Sequence, residues 1–446
     1  MMYQSLLACI ASVVLIGWAT EAFSHHVQLQ RNQWNTVQQS CKVDHNYRWS
    51  CSIQKSSSSA LNAEIKSIPS GENYSTLTLL EHMHLLNTNV HKQSTNASNN
   101  KSEMIEFFTS ILGFGIDPKS VDSLQSNKGV VFVNAGPSQL HLNDEEEYCQ
   151  KLDELRQQHE LKTLSGGNGD KQVFEVGLRY NSLEQLKTKL ENCGDYCSYD
   201  IAELGDGREI IRITDVYDRV FVARAREVME SGGNEQDEPT ISSICQQKVI
   251  NDSEKQDDVP AEIVEQYAIP AAQTACRGID YIEFFVYVTE DDSGKTSEKI
   301  ARFYDFFFDA TTSVVNDGKS DIAIIAFGKI DDSGRAEQSL LFREVVVDNP
   351  QCHQAVHNDE LGTGHHIAIY VGNCVEDFEV AASNCVDGGL LWVNPQFEDK
   401  VLDVESAMEC KQFRFKNIID IETGQTLYAL EHEIRSISHP LFPGRS

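Results

Sequence analysis

Basic residues are scarce in this chain: 37 Lys and Arg stand against 68 Asp and Glu in 446 residues, a formal net charge of -31. That balance opposes sequence-independent binding to nucleic acid phosphates or to an anionic membrane surface, and leaves a small-molecule ligand, neutral or cationic, as the expected partner. The twelve cysteines include no C-x-x-C pair, which removes the zinc-finger and thioredoxin-type readings. A G-x-S-x-G elbow is missing, since Gly136-Pro137-Ser138 lacks the second glycine, and so is a dinucleotide fingerprint. Ser293-Gly294-Lys295-Thr296 is half of a phosphate loop; Thr289 stands where the leading glycine belongs, and Glu290, Asp291 and Asp292 would repel a triphosphate.

Long apolar runs are missing too. The one at the amino end, Leu6 to Ala19, is too short for a comfortable membrane span and of the right length for the core of a secretory signal, with Thr20-Glu21-Ala22 as its cleavage site. Residues 1–22 are read as a removable signal peptide, giving a protein of the secretory or endomembrane route with no membrane contact after removal. Met1 to Ser5 carries no Lys or Arg, so a signal-anchored membrane protein is the alternative. Phe23 and the acid-free stretch from His25 to Lys42 also resemble the presequences of algal plastids with extra membranes, which makes a plastid one destination. In such a compartment Cys41 with Cys51 and Cys374 with Cys385 are local disulfide candidates. The sequons at Asn73, Asn96, Asn100 and Asn251 fall in segments read as loops.

What is present is a core-forming composition, 40% apolar, and a repeat. A flexible segment over 23–74 precedes a first domain at 75–228; an acidic linker at 229–275, rich in Glu, Asp, Gln and Ser, leads to a second domain at 276–440. Four times a strand-like run leads into a helix-like run and then more strands. The first pass runs from about Leu77 through an apolar helical face on Met104, Ile105, Phe107, Phe108, Ile111 and Leu112, closed by Gly113, to strands at Val130 to Asn134 and Gln139 to Asn143, with a polar helix over Glu145 to Leu161 after it. The second has Val173 to Tyr180 and a helix over Leu183 to Glu191. The third has Tyr281 to Val288 and a helix over Glu298 to Phe308, and the fourth His366 to Val371, a helix over Val375 to Ala382 and a strand over Gly389 to Val393. A fixed internal period indicates duplication of one unit.

The His82 strand phrase, the Phe-Phe-(x)3-Leu-Gly helix ending at Gly113, the Asn134-x-Gly136 turn before Gln139-Leu140-His141-Leu142, and Gly364-His365-His366-Ile367-Ala368-Ile369 resemble the vicinal oxygen chelate superfamily. That group includes glyoxalase I, extradiol dioxygenases and the bleomycin resistance proteins. The resemblance covers roughly Leu77 to His439. It implies an α+β fold of four βαβββ modules paired into two half-open barrel domains, with a divalent metal (Fe, Mn, Ni or Zn) held on the first and last strands of the modules.

Carried over residue by residue, the resemblance gives His82, His141 and Glu175 as metal ligands in the first domain, with Val222 breaking the fourth position and His84 as second choice on the His82 strand. The bland alternative makes these histidines half-buried strand residues bonded to backbone. In the second domain Tyr281 (or Glu283 in a shifted register), His366, Tyr370 and Tyr428 would line a ligand pocket, or fill a core as aromatics do. His353, His357 and His365 read as part of a polar loop. The terminal phrase around Glu431, Glu433 and Arg435 is either an ion-paired strap, with Arg435 bridging one of the glutamates, or an exposed tail. Two functions are expected: metal-dependent chemistry on a small vicinal-oxygen substrate in the first barrel, as a lyase or dioxygenase, or metal-free, non-catalytic binding of a small ligand. No catalytic residue is assigned.

Overall fold

Along Leu77–Leu86 the alternation of side chains puts Met83 and Leu85 on one face and His82 and His84 on the other, the period of a strand with one apolar side. Fourteen further strands follow among the described residues. The structure is a computed structural model and describes residues 74–86, 104–117, 120, 123–124, 130–143, 174–204, 207–215, 219–225, 276–331, 333–347, 366–394 and 400–442. The expected signal, nearly all of the 23–74 segment, the Glu145 to Leu161 helix, the acidic linker, the Cys41 and Cys51 pair, the sequons and the His353, His357 and His365 loop lie outside these residues. Among the described residues no helix is long and apolar enough to cross a membrane.

The first module is β1 (Leu77–Leu86), a π-helical turn (Phe107–Ile111), β2 (Gly115–Ile116), β3 (Val131–Ala135) and β4 (Ser138–Asn143). The second is β5 (Phe174–Tyr180), α1 (Glu184–Leu190), β6 (Cys197–Glu203), β7 (Glu209–Asp215) and β8 (Val220–Ala225). The third is β9 (Cys276–Val288), α2 (Lys295–Phe308), β10 (Thr312–Asn316), β11 (Asp321–Ile330) and β12 (Ala336–Val346). The fourth is β13 (His366–Val371), α3 (Val375–Asp387), α4 (Val404–Cys410), β14 (Gln412–Ile419) and β15 (Thr426–Ser436). Its expected strand at Gly389 to Val393 is reduced to a single bridge, Leu391 to Phe415.

These modules form two sheets, ordered β14-β15-β13-β1-β4-β3-β2 and β10-β11-β12-β9-β5-β8-β7-β6. The arrangement is the α+β, paired-module architecture expected, with one difference of consequence. The first module joins the fourth, through antiparallel β1 and β13, and the second joins the third, through antiparallel β5 and β9. The seven-stranded sheet therefore takes four strands from before the division at 229–275 and three from after it, and the eight-stranded sheet four from each side. Among the described residues, those of 74–418 and 427–442 belong to one compact unit and those of 419–426 to a second. Of the second unit only the turn at 419–426 is described, where Gly424 N–H donates to Asp420 O at 2.8 Å.

The apolar faces carry the core. Met83, Leu85, Leu140, Leu142, Ile367 and Ile434 line one sheet, and Val176, Phe221, Ile282, Phe284, Leu340 and Phe342 the other, all buried. Helical aromatics fill between them: Phe107 and Phe108 meet Phe221, while Tyr304 meets both Phe342 and His432 and Phe303 meets Phe415. Burying each such ring contributes about 1.5–3 kcal/mol. The half phosphate loop is accounted for here as a helix start. Glu344 of β12 accepts from Gly294 N–H (2.5 Å) and Ser297 N–H (2.6 Å), so a carboxylate of the chain itself occupies the anion position ahead of α2.

Cys374 and Cys385 are free, contrary to the disulfide expected of them. They stand at the two ends of α3, eleven residues apart, and an α-helix of that length spans about 16 Å, well beyond the reach of a disulfide.

Candidate metal centre

On the polar face of the seven-stranded sheet, β1 lies between β13 and β4, so the histidines of three strands face one another. His84 pairs with His141 across β1 and β4, and His82 with Ala368 across β1 and β13. One ring nitrogen from each of His82, His141 and His366 lies within 4.8 Å of the others. His82 Nε2 and His366 Nε2 are 3.2 Å apart, and the His82 and His141 rings stack at 3.9 Å. His82 and His366 are buried; His84 and His141 are half-buried, so the cluster reaches the surface on the β4 side.

Hydrogen bonds set the tautomers. His82 Nδ1–H donates to Glu81 Oε2 at 2.9 Å, which leaves Nε2 with its lone pair directed at the cluster. The Gln139 NH2 is committed to Asp117 Oδ2 (2.8 Å) and Asn134 Oδ1 (2.7 Å), so Gln139 Oε1 accepts from His141 Nε2–H at 2.8 Å and the lone pair falls on Nδ1. Burial, followed by the positive charge of Arg435, holds His82 well below the ordinary histidine range; burial and the neighbouring His82 do the same to His141. Both are neutral imidazoles near pH 7, the form that binds metal.

The donor set fits a divalent transition metal. Nitrogens about 2.1 Å from an ion and about 100° apart stand about 3.2 Å from each other, the separation of the His82 and His366 nitrogens. Three imidazoles suit zinc, iron, nickel or manganese and leave coordination positions open. Behind them runs a buried ion network. Arg435 Nη1 donates to Glu81 Oε2 (2.5 Å) and its Nε to Glu433 Oε1 (2.6 Å); Arg414 pairs with Glu433 (2.8 Å) and Glu431 (3.0 Å). Asn394 Nδ2 donates to Glu431 Oε1 at 3.1 Å. Paired with both arginines, Glu433 stays below the usual carboxylate range despite its burial. Glu431 is pushed up by burial. The terminal phrase is thus an ion-paired inner strand, and Arg435 does bridge Glu433.

Glu175 is not in this centre. It stands on β5 in the other sheet, where Tyr281 Oη donates to its Oε1 (2.5 Å) and Arg212 Nη1 to its Oε2 (2.5 Å). Consecutive modules had been expected to share a site; because the first module pairs with the fourth, the third histidine is His366. In the eight-stranded sheet Tyr281 fills the equivalent space, packed against Val220 and Val222 with Ile210 and Leu341 beside them. Gly177 makes room for it, since a Cβ there would lie 2.1 Å from the Tyr281 ring. The expected pocket of Tyr281, His366, Tyr370 and Tyr428 is dispersed. Tyr370 packs with Leu79 and Phe442, and Tyr428 with Phe284 and Phe342, each inside the core. Glu283, the shifted-register choice, is bonded to Arg343 at 2.7 Å.

No family model matches the chain, and no curated protein does. Among solved structures it is similar to glyoxalase I from Zea mays, at 9% identity and a TM-score of 0.38 over 81% of this chain and 93% of that one. It is also similar to a glyoxalase/bleomycin resistance protein/dioxygenase family enzyme from Burkholderia phytofirmans PsJN, at 15% identity and a TM-score of 0.21 over 32% of this chain and 95% of that one. Lactoylglutathione lyase from Agrobacterium tumefaciens aligns at 12% identity and a TM-score of 0.21 over 33% of this chain and 92% of that one. At these values nothing about the site carries over from them. The paired modules give this chain an α+β architecture of two mixed sheets. Within that fold the described histidine cluster lies on one sheet, and the other sheet's matching positions are closed by Tyr281 and its partners.

Proposed function

We propose that His82, His141 and His366 hold one divalent metal ion, and that the protein acts on a small molecule with neighbouring oxygen atoms, the chemistry that the resemblance of its strand phrases implies. The observation that carries this reading is the convergence of three ring nitrogens, one from each histidine, within 4.8 Å, with the His82 Nε2 lone pair freed by the Nδ1–H bond to Glu81. Bound there, an ion would supply Lewis acidity toward a substrate oxygen. The chain's own residues do the rest. Glu81 orients His82 and is itself held in place by Arg435. Gln139 orients His141, whose ring also meets the edge of Phe132 at 4.4 Å. The eight-stranded sheet would then contribute scaffold rather than a second centre.

Equilibrium dialysis against Fe(II), Mn(II), Ni(II) and Zn(II), each alone, tests the reading. About one ion retained per chain for at least one metal is expected. Retention of none would favour the metal-free ligand-binding alternative and sink the enzyme reading.

A further inference from the structure

Backbone groups at a β-bulge lose their ladder partners and must find others. In β1, Leu80 pairs with Ile369 and His82 with Ala368, so Glu81 is the extra residue. Its side chain reaches His82 only because of this irregularity; in a regular strand, neighbours point to opposite faces. The groups freed at Leu80 are met from the other sheet. Leu80 N–H donates to Gln338 Oε1 at 3.0 Å, and Gln338 Nε2 donates to Leu80 O at 3.1 Å. Gln338 is buried on β12. Its Nε2 also reaches Ile279 O at 3.0 Å, beside the matching bulge in β9, where Asp280 is the extra residue. Ser138 Oγ completes the cluster, 3.1 Å from Gln338 Nε2 and donating to Leu80 O at 3.2 Å.

We propose that Gln338 is a positioning residue of the histidine centre: by gripping Leu80 from the eight-stranded sheet, it holds the bulge that aims Glu81 at His82 Nδ1. An apolar side chain at 338 would leave Leu80 N–H buried without this acceptor and Leu80 C=O with Ser138 Oγ alone. Regular pairing would restore them, but it would turn Glu81 to the face opposite His82. The eight-stranded sheet, whose own ligand position is filled, thereby sets the geometry of the centre in its neighbour. The affinity readout below rests on the metal-binding reading; the spectroscopic one does not.

The test compares Gln338→Met with Ile213→Ala, a cavity variant in β7 away from the bulge, on the full chain with 15N-labelled histidine. In the metal-free wild type the His82 Nδ1–H held by Glu81 gives a downfield, slowly exchanging proton. Gln338→Met is expected to lose that resonance and to bind the retained metal about tenfold or more weakly, the scale of outer-sphere substitutions. Ile213→Ala lowers the unfolding midpoint and leaves both intact. The proposal is overturned if Gln338→Met keeps resonance and affinity, or if the wild type shows no such resonance. Should Gln338→Met fail to fold, Gln338→Ala, which removes both contacts to Leu80 without adding bulk, is read by the same two criteria. A wild type that has the resonance, loses it on substitution and takes up no metal would refute the metal reading and leave the positioning role standing.

Discussion

Glu81 and His82 are neighbours in sequence whose side chains meet, and the behaviour of the centre turns on that pair. Glu81→Gln keeps the shape, removes the charge opposite the ring and leaves Arg435 with one carboxylate fewer. Metal affinity should fall about tenfold, the low end for an outer-sphere partner, as read by competition with a chromophoric chelator; an unchanged affinity would mean that Glu81 does not orient His82. Gly177→Ala probes the other sheet. Its Cβ would collide with Tyr281, and overpacking of this kind costs about 1–3 kcal/mol in denaturant unfolding, with metal affinity unaltered because the histidines lie elsewhere. The resemblance of the strand phrases put His82 and His141 forward as candidate ligands, and the structure brings their rings together. Glu81 was not, since the period of two assigns it to the opposite face and nothing in the local sequence announces a bulge. Arg414 and Asn394 gave no signal either, each being one polar residue in an otherwise ordinary segment.

At the scale of elements, the helices tie the two apolar faces together. Tyr304 of α2 shares a 2.6 Å hydrogen bond with His432 Nε2 of β15, whose Nδ1–H donates to Leu430 O at 2.7 Å. Burial lowers the His432 pKa to about 3. An unfolded chain takes up this proton at about pH 6.5, before the folded one does, so the stability that neutral His432 contributes is full above 6.5 and is lost as pH falls toward 3. The loss should approach about 1.4 kcal/mol per pH unit, and His432→Phe should flatten that part of a urea-unfolding profile measured from pH 7 to 5. A profile equally steep in the variant would place the titration elsewhere. Strands and helices of strong periodicity were legible: the π-helical turn ends by Gly113, and α2 and α3 include the expected spans. The short edge strands β6 and β10 and helix α4 were not, because exposed or brief elements carry little apolar pattern.

For the whole molecule, the pairing of first module with fourth is the finding with most consequence. Local sequence is equally compatible with pairing neighbours in the chain, since every module offers the same strand to its partner; only the contacts made across about 280 residues decide. The histidine centre therefore belongs to neither predicted domain alone. Residues 75–228 produced by themselves should retain no metal at this centre, and co-production with 276–440 should restore it, as followed by metal content of the co-purified pair. Retention by 75–228 alone at wild-type affinity would favour the set with Glu175. The most direct measurement is metal stoichiometry and affinity of the full chain beside two variants, His366→Ala and Glu175→Gln. About one divalent ion per wild-type chain is predicted, lost or weakened by orders of magnitude in His366→Ala and unchanged in Glu175→Gln; an ion kept by His366→Ala and lost by Glu175→Gln would contradict the account.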